Sequence, residues 1–226
     1  TRLQVQVLPE YDDPRVLVIV QGRLSVAAEE LPVQLVVRVP RGAQINQMAV
    51  MDISTGRTAS RVYEALPDPA DDRWSLVSYE VDDPHFFYEY YYDPIEGDPD
   101  KSFTFVFSSV QSVEELMLEV QQPLAAEAFE TVPVPTVTRS DDNDFVYHQF
   151  PMSGLPANAE TSVEIRYTKA GSEPSISREE LLAQQLSQQQ ARLERASLVA
   201  PALAARAAGL FDRLLATLPF RLTAAQ

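Results

Sequence analysis

The chain has 226 residues, with 33 Asp and Glu against 18 Lys and Arg, a formal charge of −15. It has no cysteine, two histidines, one tryptophan, 17 prolines and 7 glycines. These counts exclude a disulfide framework, a thiol nucleophile, Cys-type zinc and iron–sulfur sites, and a three-histidine metal centre within one chain. The acidity argues against nucleic acid as a partner, because neutralising phosphate needs clustered Lys and Arg.

Apolar and charged fractions of 45% and 23% are those of a folded protein. No run approaches 18 consecutive apolar residues, so the sequence carries no helical membrane span. It opens at Thr1 in a strand pattern rather than a basic and apolar leader, and a signal or anchor is expected outside it. The charge is uneven: residues 1–176 hold 29 acids and 12 bases (−17), whereas residues 177–226 hold 4 acids and 6 bases (+2).

Leu3, Val5 and Val7 alternate with Gln4 and Gln6, and Pro9 with Asp12-Asp13-Pro14 predicts a turn. Val16 to Val20 is continuously apolar and suits a central strand covered on both faces, with Gly22 as a candidate bulge. Val33, Leu35, Val37 and Val39 form a period-2 face closed by Pro40-Arg41-Gly42. A strand from Met48 to Ile53 follows, and residues 54–73 read as one long polar loop.

Strand character resumes from Trp74 to Val81, and is strongest from His85 to Tyr92 and from Ser102 to Ser108. Val113 to Val120 fits either helical or strand spacing, and its strand neighbours together with Pro123 favour a strand. Phe129 to Val134, Phe145 to Phe150 and Ser162 to Thr168 complete the set. Short strands punctuated by turns, without βα alternation, predict a mainly β protein: an antiparallel β-sandwich, immunoglobulin-like or jelly-roll-like.

The tail departs from this pattern. Ser177 with Glu180 forms a capping box, and Ile176 with Leu181 is spaced as its hydrophobic staple. Leu182, Leu186 and Leu193 share a helical face, while Leu203, Leu210 and Leu214 mark a second helix between Pro201 and Pro219. Helices this poor in large apolar residues need something to pack on. The expected organisation is a sandwich over 1–170, as one domain or two sub-domains, a linker over 171–176, and a helical docking tail over 177–226.

In an extended strand Phe86, Tyr88, Tyr90 and Tyr92 share one face. The first reading of that stripe is cross-strand core packing, and the second is an aromatic platform for a sugar or an aliphatic ligand. Asp93, Glu96, Asp98 and Asp100 crowd the next loop and are candidate calcium ligands, as Asp141, Asp142 and Asp144 are in another. Neither loop matches an EF-hand pattern, and solvated turn carboxylates are the plainer reading; no other cofactor is expected.

No nucleophile elbow, HExxH zinc motif, P-loop or GxGxxG fingerprint is present. His148, between Tyr147 and Gln149, reads as an ordinary strand residue. With so many acids, a carboxylate-based hydrolase stays open as a third reading.

The runs Lys101-Ser102-Phe103-Thr104-Phe105-Val106-Phe107, Glu119-Val120-Gln121-Gln122-Pro123-Leu124 and Ile165-Arg166-Tyr167-Thr168-Lys169 give the chain a resemblance to bacterial surface proteins with immunoglobulin-like or carboxypeptidase-regulatory-like β-sandwich domains. The resemblance spans about residues 15–170 and implies an extracytoplasmic, often membrane-anchored, binding or structural module without catalytic residues. The expected function is therefore non-enzymatic. It is an interaction module at the cell surface or in the periplasm, meeting a protein partner or another copy of itself through the tail. A carbohydrate- or small-ligand-binding sandwich is the alternative.

Overall fold

The computed structural model describes residues 1–177, which form one unit. The predicted helical tail, with Leu182, Leu186, Leu193, Leu203, Leu210 and Leu214, lies outside the described residues.

The described chain is mainly β. Fourteen strands follow in order: β1 (Arg2–Pro9), β2 (Val16–Arg23), β3 (Val33–Pro40), β4 (Gln44–Asp52), β5 (Arg57–Ser60), β6 (Tyr63–Pro67), β7 (Trp74–Val81), β8 (His85–Tyr92), β9 (Asp100–Ser108), β10 (Val113–Gln122), β11 (Glu127–Val132), β12 (Val137–Ser140), β13 (Val146–Leu155) and β14 (Glu160–Thr168). They build an eight-stranded sheet in the order β12-β13-β10-β1-β2-β8-β4-β5 and two three-stranded sheets, β3-β7-β6 and β11-β14-β9.

The large sheet joins two half-sheets. Residues 16–92 supply β2, β8, β4 and β5, and the later strands together with β1 supply the rest. Pairing of β1 with β2, from Arg2↔Arg23 to Pro9↔Val16, fuses the halves. Val5, Val7, Val16, Val18 and Leu118 of the large sheet, Leu35 and Val77 of one small sheet, and Phe105 and Ile165 of the other belong to one continuous core. β8 alternates in burial along most of its length, because successive side chains leave opposite faces of the pleat.

Several expectations need correction. All the ladders are antiparallel except β1 with β10, which run parallel from Arg2↔Glu115 to Val7↔Val120. A parallel neighbour needs a long crossover, and residues 10–112 lie between these two strands. The predicted polar loop 54–73 contains β5 and β6, both exposed along their whole length. With neither face buried, no period-2 apolar signal marks them. The same holds for β12, which was not predicted. Val113 to Val120 is a strand, as its neighbours implied.

Gly22 is not a bulge, since its ladder to β1 runs through in register. Its role is close approach: a Cβ there would meet Phe86 Cζ at 2.3 Å and Leu3 Cδ2 at 2.6 Å. The predicted linker 171–176 does not run free either. Ser175 and Ile176 donate their amides to the carbonyls of Glu10 and Tyr11, and Ile176 is buried.

Candidate functional site

Register places two rows of side chains on the face of the large sheet opposite the core. Glu115, Arg2, His85 and Met51 fall in one row; Pro151, Met117, Gln4 and Gln21 fall in the next. Adjacent rows on one face are two residues apart along each strand, about 6.6 Å. Between them lies a groove of about 540 Å³ that crosses β13, β10, β1, β2, β8 and β4. Across six strands spaced about 4.8 Å apart, it is roughly 24 Å long. Gly22 lies along it, though a Cβ there would point away from the groove, toward Phe86 and Leu3 of the core.

Its walls are mixed. Met51, Met117 and Met152 line it, three of the four methionines in the chain, together with Ile53 and Pro151. Arg2 and Glu115 pair at 3.4 Å on the exposed rim. The His85 imidazole Nδ1 lies 2.9 Å from Asp83 Oδ1, and the His85 amide donates to the same oxygen, which fixes the ring and leaves Nε2 as its remaining polar atom. The lining contains no Ser, Thr, Cys or Lys, so it offers no side-chain hydroxyl, thiol or amine for covalent catalysis.

The aromatic stripe is mostly core. Phe86, Tyr88 and Tyr90 are buried, with Phe86–Tyr88 and Tyr88–Tyr90 ring centroids 6.3 and 6.5 Å apart. Burial pushes the phenol pKa values of Tyr88 and Tyr90 up. These three rings face the hydrophobic core, so they form no open platform, because the pleat that aligns them also aims them inward. Tyr92 differs: it lies at the strand end and lines a separate small pocket with Trp74.

The calcium candidates do not converge. Asp98 Oδ1 accepts the Gly171 amide, Asp100 Oδ1 accepts the Thr168 hydroxyl, and Glu96 is bridged through its backbone to Ser102. Asp141 likewise caps its own turn, accepting the amides of Asn143 and Phe145 and the Tyr147 hydroxyl. Among the described residues, no three His, Asp or Glu side chains are grouped to hold a metal ion. The carboxylates of Asp98, Asp100 and Asp141 are spent on turns and strand ends.

A buried charge cluster had no sequence signal. Glu10, at φ +47°, receives Lys101 Nζ at 2.6 Å, Lys169 Nζ at 3.1 Å and the Tyr167 hydroxyl at 2.8 Å. A second buried carboxylate, Glu119, accepts from Arg139, Gln6 and Gln149 on the outer face of the large sheet. Both clusters join residues far apart in sequence.

No protein-family model matches the chain, and no curated protein matches it. Among solved structures it is similar, at 11% identity and a TM-score of 0.35, to a crystal structure from Parabacteroides distasonis described as a "putative protease". The match covers 74% of this chain and 39% of that one, so the chain spans well under half of that protein's length.

Proposed function

We propose that this chain is a non-enzymatic interaction module: a β-sandwich, immunoglobulin-like or jelly-roll-like, that presents its outer-face groove to an extended segment of a protein partner. One observation carries the reading. The groove is long, lined by methionines, amides and a proline, and its lining offers no side-chain hydroxyl, thiol or amine. Methionine adapts its shape to irregular apolar partners, and the unpaired amides of Gln4 and Gln21 can exchange hydrogen bonds with a peptide backbone. The acidic body and weakly basic tail suit an extracytoplasmic assembly in which the tail, through its leucine stripes, makes a second contact with a partner or another copy.

Selecting a random peptide library on the intact protein tests this. Peptides of extended, largely uncharged sequence are expected to be enriched, and the double variant Gln4→Arg, Gln21→Arg is expected to lose them while melting normally. Enrichment that survives those substitutions would place the contact elsewhere. A saturable hydrolytic activity that maps to His85 would replace binding with catalysis.

A further inference from the structure

Residues 131–138 run from the end of β11 into β12 and carry no charge, between Glu130 and Arg139. The described residues leave eight large apolar side chains exposed, and three of them stand here: Val132, Val134 and Val137. Val134 is 81% exposed. Ile53, another of the eight, lines the outer-face groove. Exposed apolar side chains grouped in this way mark contact surfaces.

The segment and the groove share one face of the large sheet. Val137 pairs with Gln149, and directly opposed residues of an antiparallel ladder point to the same side. Gln149 bonds Glu119 on the outer face, so Val137 points outward as well. Thr136 donates its amide to the Gln149 carbonyl, and Pro151, two residues further along β13, lines that end of the groove. A patch that carries both a ligand segment and its receptor can meet its own copy about a two-fold axis.

Length, polarity and charge fit such a contact. The six residues 132–137 span at most about 20 Å, against roughly 24 Å of groove. Pro135 holds Val134 in extended backbone. The two prolines have no N–H and the Thr136 amide is given to Gln149, so the segment offers mainly carbonyl acceptors. The carboxamides of Gln4 and Gln21 supply donors, and Met51 and Met117 an adaptable apolar wall. Copies of a chain with a formal charge of −15 repel each other where their acidic surfaces approach. The segment carries none of that charge, and Arg2 and Glu115 at the groove's rim neutralise each other.

Resting on the reading of the groove as a peptide site, we propose that its partner is a second copy of this chain. The contact is isologous: residues 132–137 of each copy lie in the groove of the other.

Sedimentation equilibrium of the intact chain is expected to show monomer–dimer exchange. It should tighten as salt rises from about 0.05 to about 0.5 M, because screening relieves the repulsion and spares an uncharged contact. Val134→Asp and the double variant Gln4→Arg, Gln21→Arg are each expected to weaken it about tenfold or more, by burying charge. A synthetic peptide of residues 131–138 is expected to bind the parent and Val134→Asp, whose grooves are intact, and not Gln4→Arg, Gln21→Arg. Should a variant fail to fold, peptide binding to the parent decides. A chain that stays monomeric to about 1 mM overturns the dimer, as does self-association that survives both variants, or a peptide that does not bind. If library peptides still occupy the groove in those cases, the peptide site stands and only the choice of partner falls. If none does, both fall.

Discussion

Lys101 Nζ lies 2.6 Å from Glu10 Oε1, and both side chains are almost wholly withdrawn from water, 4% and 1% exposed. Lys169 closes on the same oxygen, and the Tyr167 hydroxyl takes the other. The lysines also donate onward to the carbonyls of Gly171 and Glu173. One carboxylate therefore holds the β1–β2 turn, the start of β9, the end of β14 and the segment 171–176 together. Burial raises the Tyr167 phenol pKa, and its bond to Glu10 raises it further.

Glu10→Gln removes the only carboxylate and leaves two buried ammonium groups facing an amide. Breaking a buried ion pair by removing one partner costs about 3–5 kcal/mol. Chemical denaturation should show that loss at an unchanged m-value. Hydrogen exchange should show faster exchange at the Ser175 and Ile176 amides, which bond to the Glu10 and Tyr11 carbonyls. A variant within 1 kcal/mol of the parent would mean the cluster is solvated.

Gly22→Ala adds one methyl group where Phe86 Cζ and Leu3 Cδ2 already sit inside van der Waals contact. Backbone conformation is not the obstacle, since Gly22 is absent from the glycines with positive φ. Overpacking of this kind costs typically 1–3 kcal/mol. The double variant Gly22→Ala, Phe86→Leu should recover part of that loss in thermal unfolding, because the shorter side chain vacates the space. No recovery would place the strain elsewhere.

Tyr90→Ala should cost about 3–5 kcal/mol, as truncating a buried aromatic ring does. The whole β body should melt earlier. Tyr90 packs between Tyr88 and Tyr92, with ring centroids 6.5 and 5.9 Å away. Normal melting in Tyr90→Ala would mean the ring contributes little to the core.

Strands buried on one face were legible in the sequence and strands exposed on both were not. Val33 to Val39, His85 to Tyr92 and Ser102 to Ser108 announce themselves by period-2 apolar patterning, and β3, β8 and β9 occupy those positions. Arg57–Ser60 and Val137–Ser140 are exposed throughout and leave no such trace. The parallel pairing of β1 with β10 was hidden because the two strands lie more than a hundred residues apart and no local pattern links them. The outer-face groove was hidden for the same reason: its lining comes from six strands, and only their register aligns Gln4, Gln21 and Met117. Glu10 gave no warning either, as a non-glycine residue with positive φ at a turn that Asp12-Asp13-Pro14 appeared to explain fully. Tyr92 was legible as an aromatic strand residue, but its place beside Trp74 depends on β7 arriving from another sheet.

His148 supplies the pH dependence. Its ring stacks on Phe129 with centroids 4.7 Å apart and sits half-buried on β13, with Gln122 and Thr138 at 3.5 Å and no carboxylate to favour its charged form. Desolvation lowers its pKa below the ordinary 6.5. Because the folded state resists protonation, the unfolded chain takes up the proton first as pH falls. Stability from this residue is complete above the unfolded pKa, about 6.5, and declines as pH drops below it toward the lowered folded value. Thermal melts between about pH 7.5 and 5 should therefore fall in the parent. His148→Gln keeps a polar side chain of similar reach but cannot titrate, so its melting curve should fall less over the same range. An equal slope in both proteins would assign the pH dependence to the acidic residues instead.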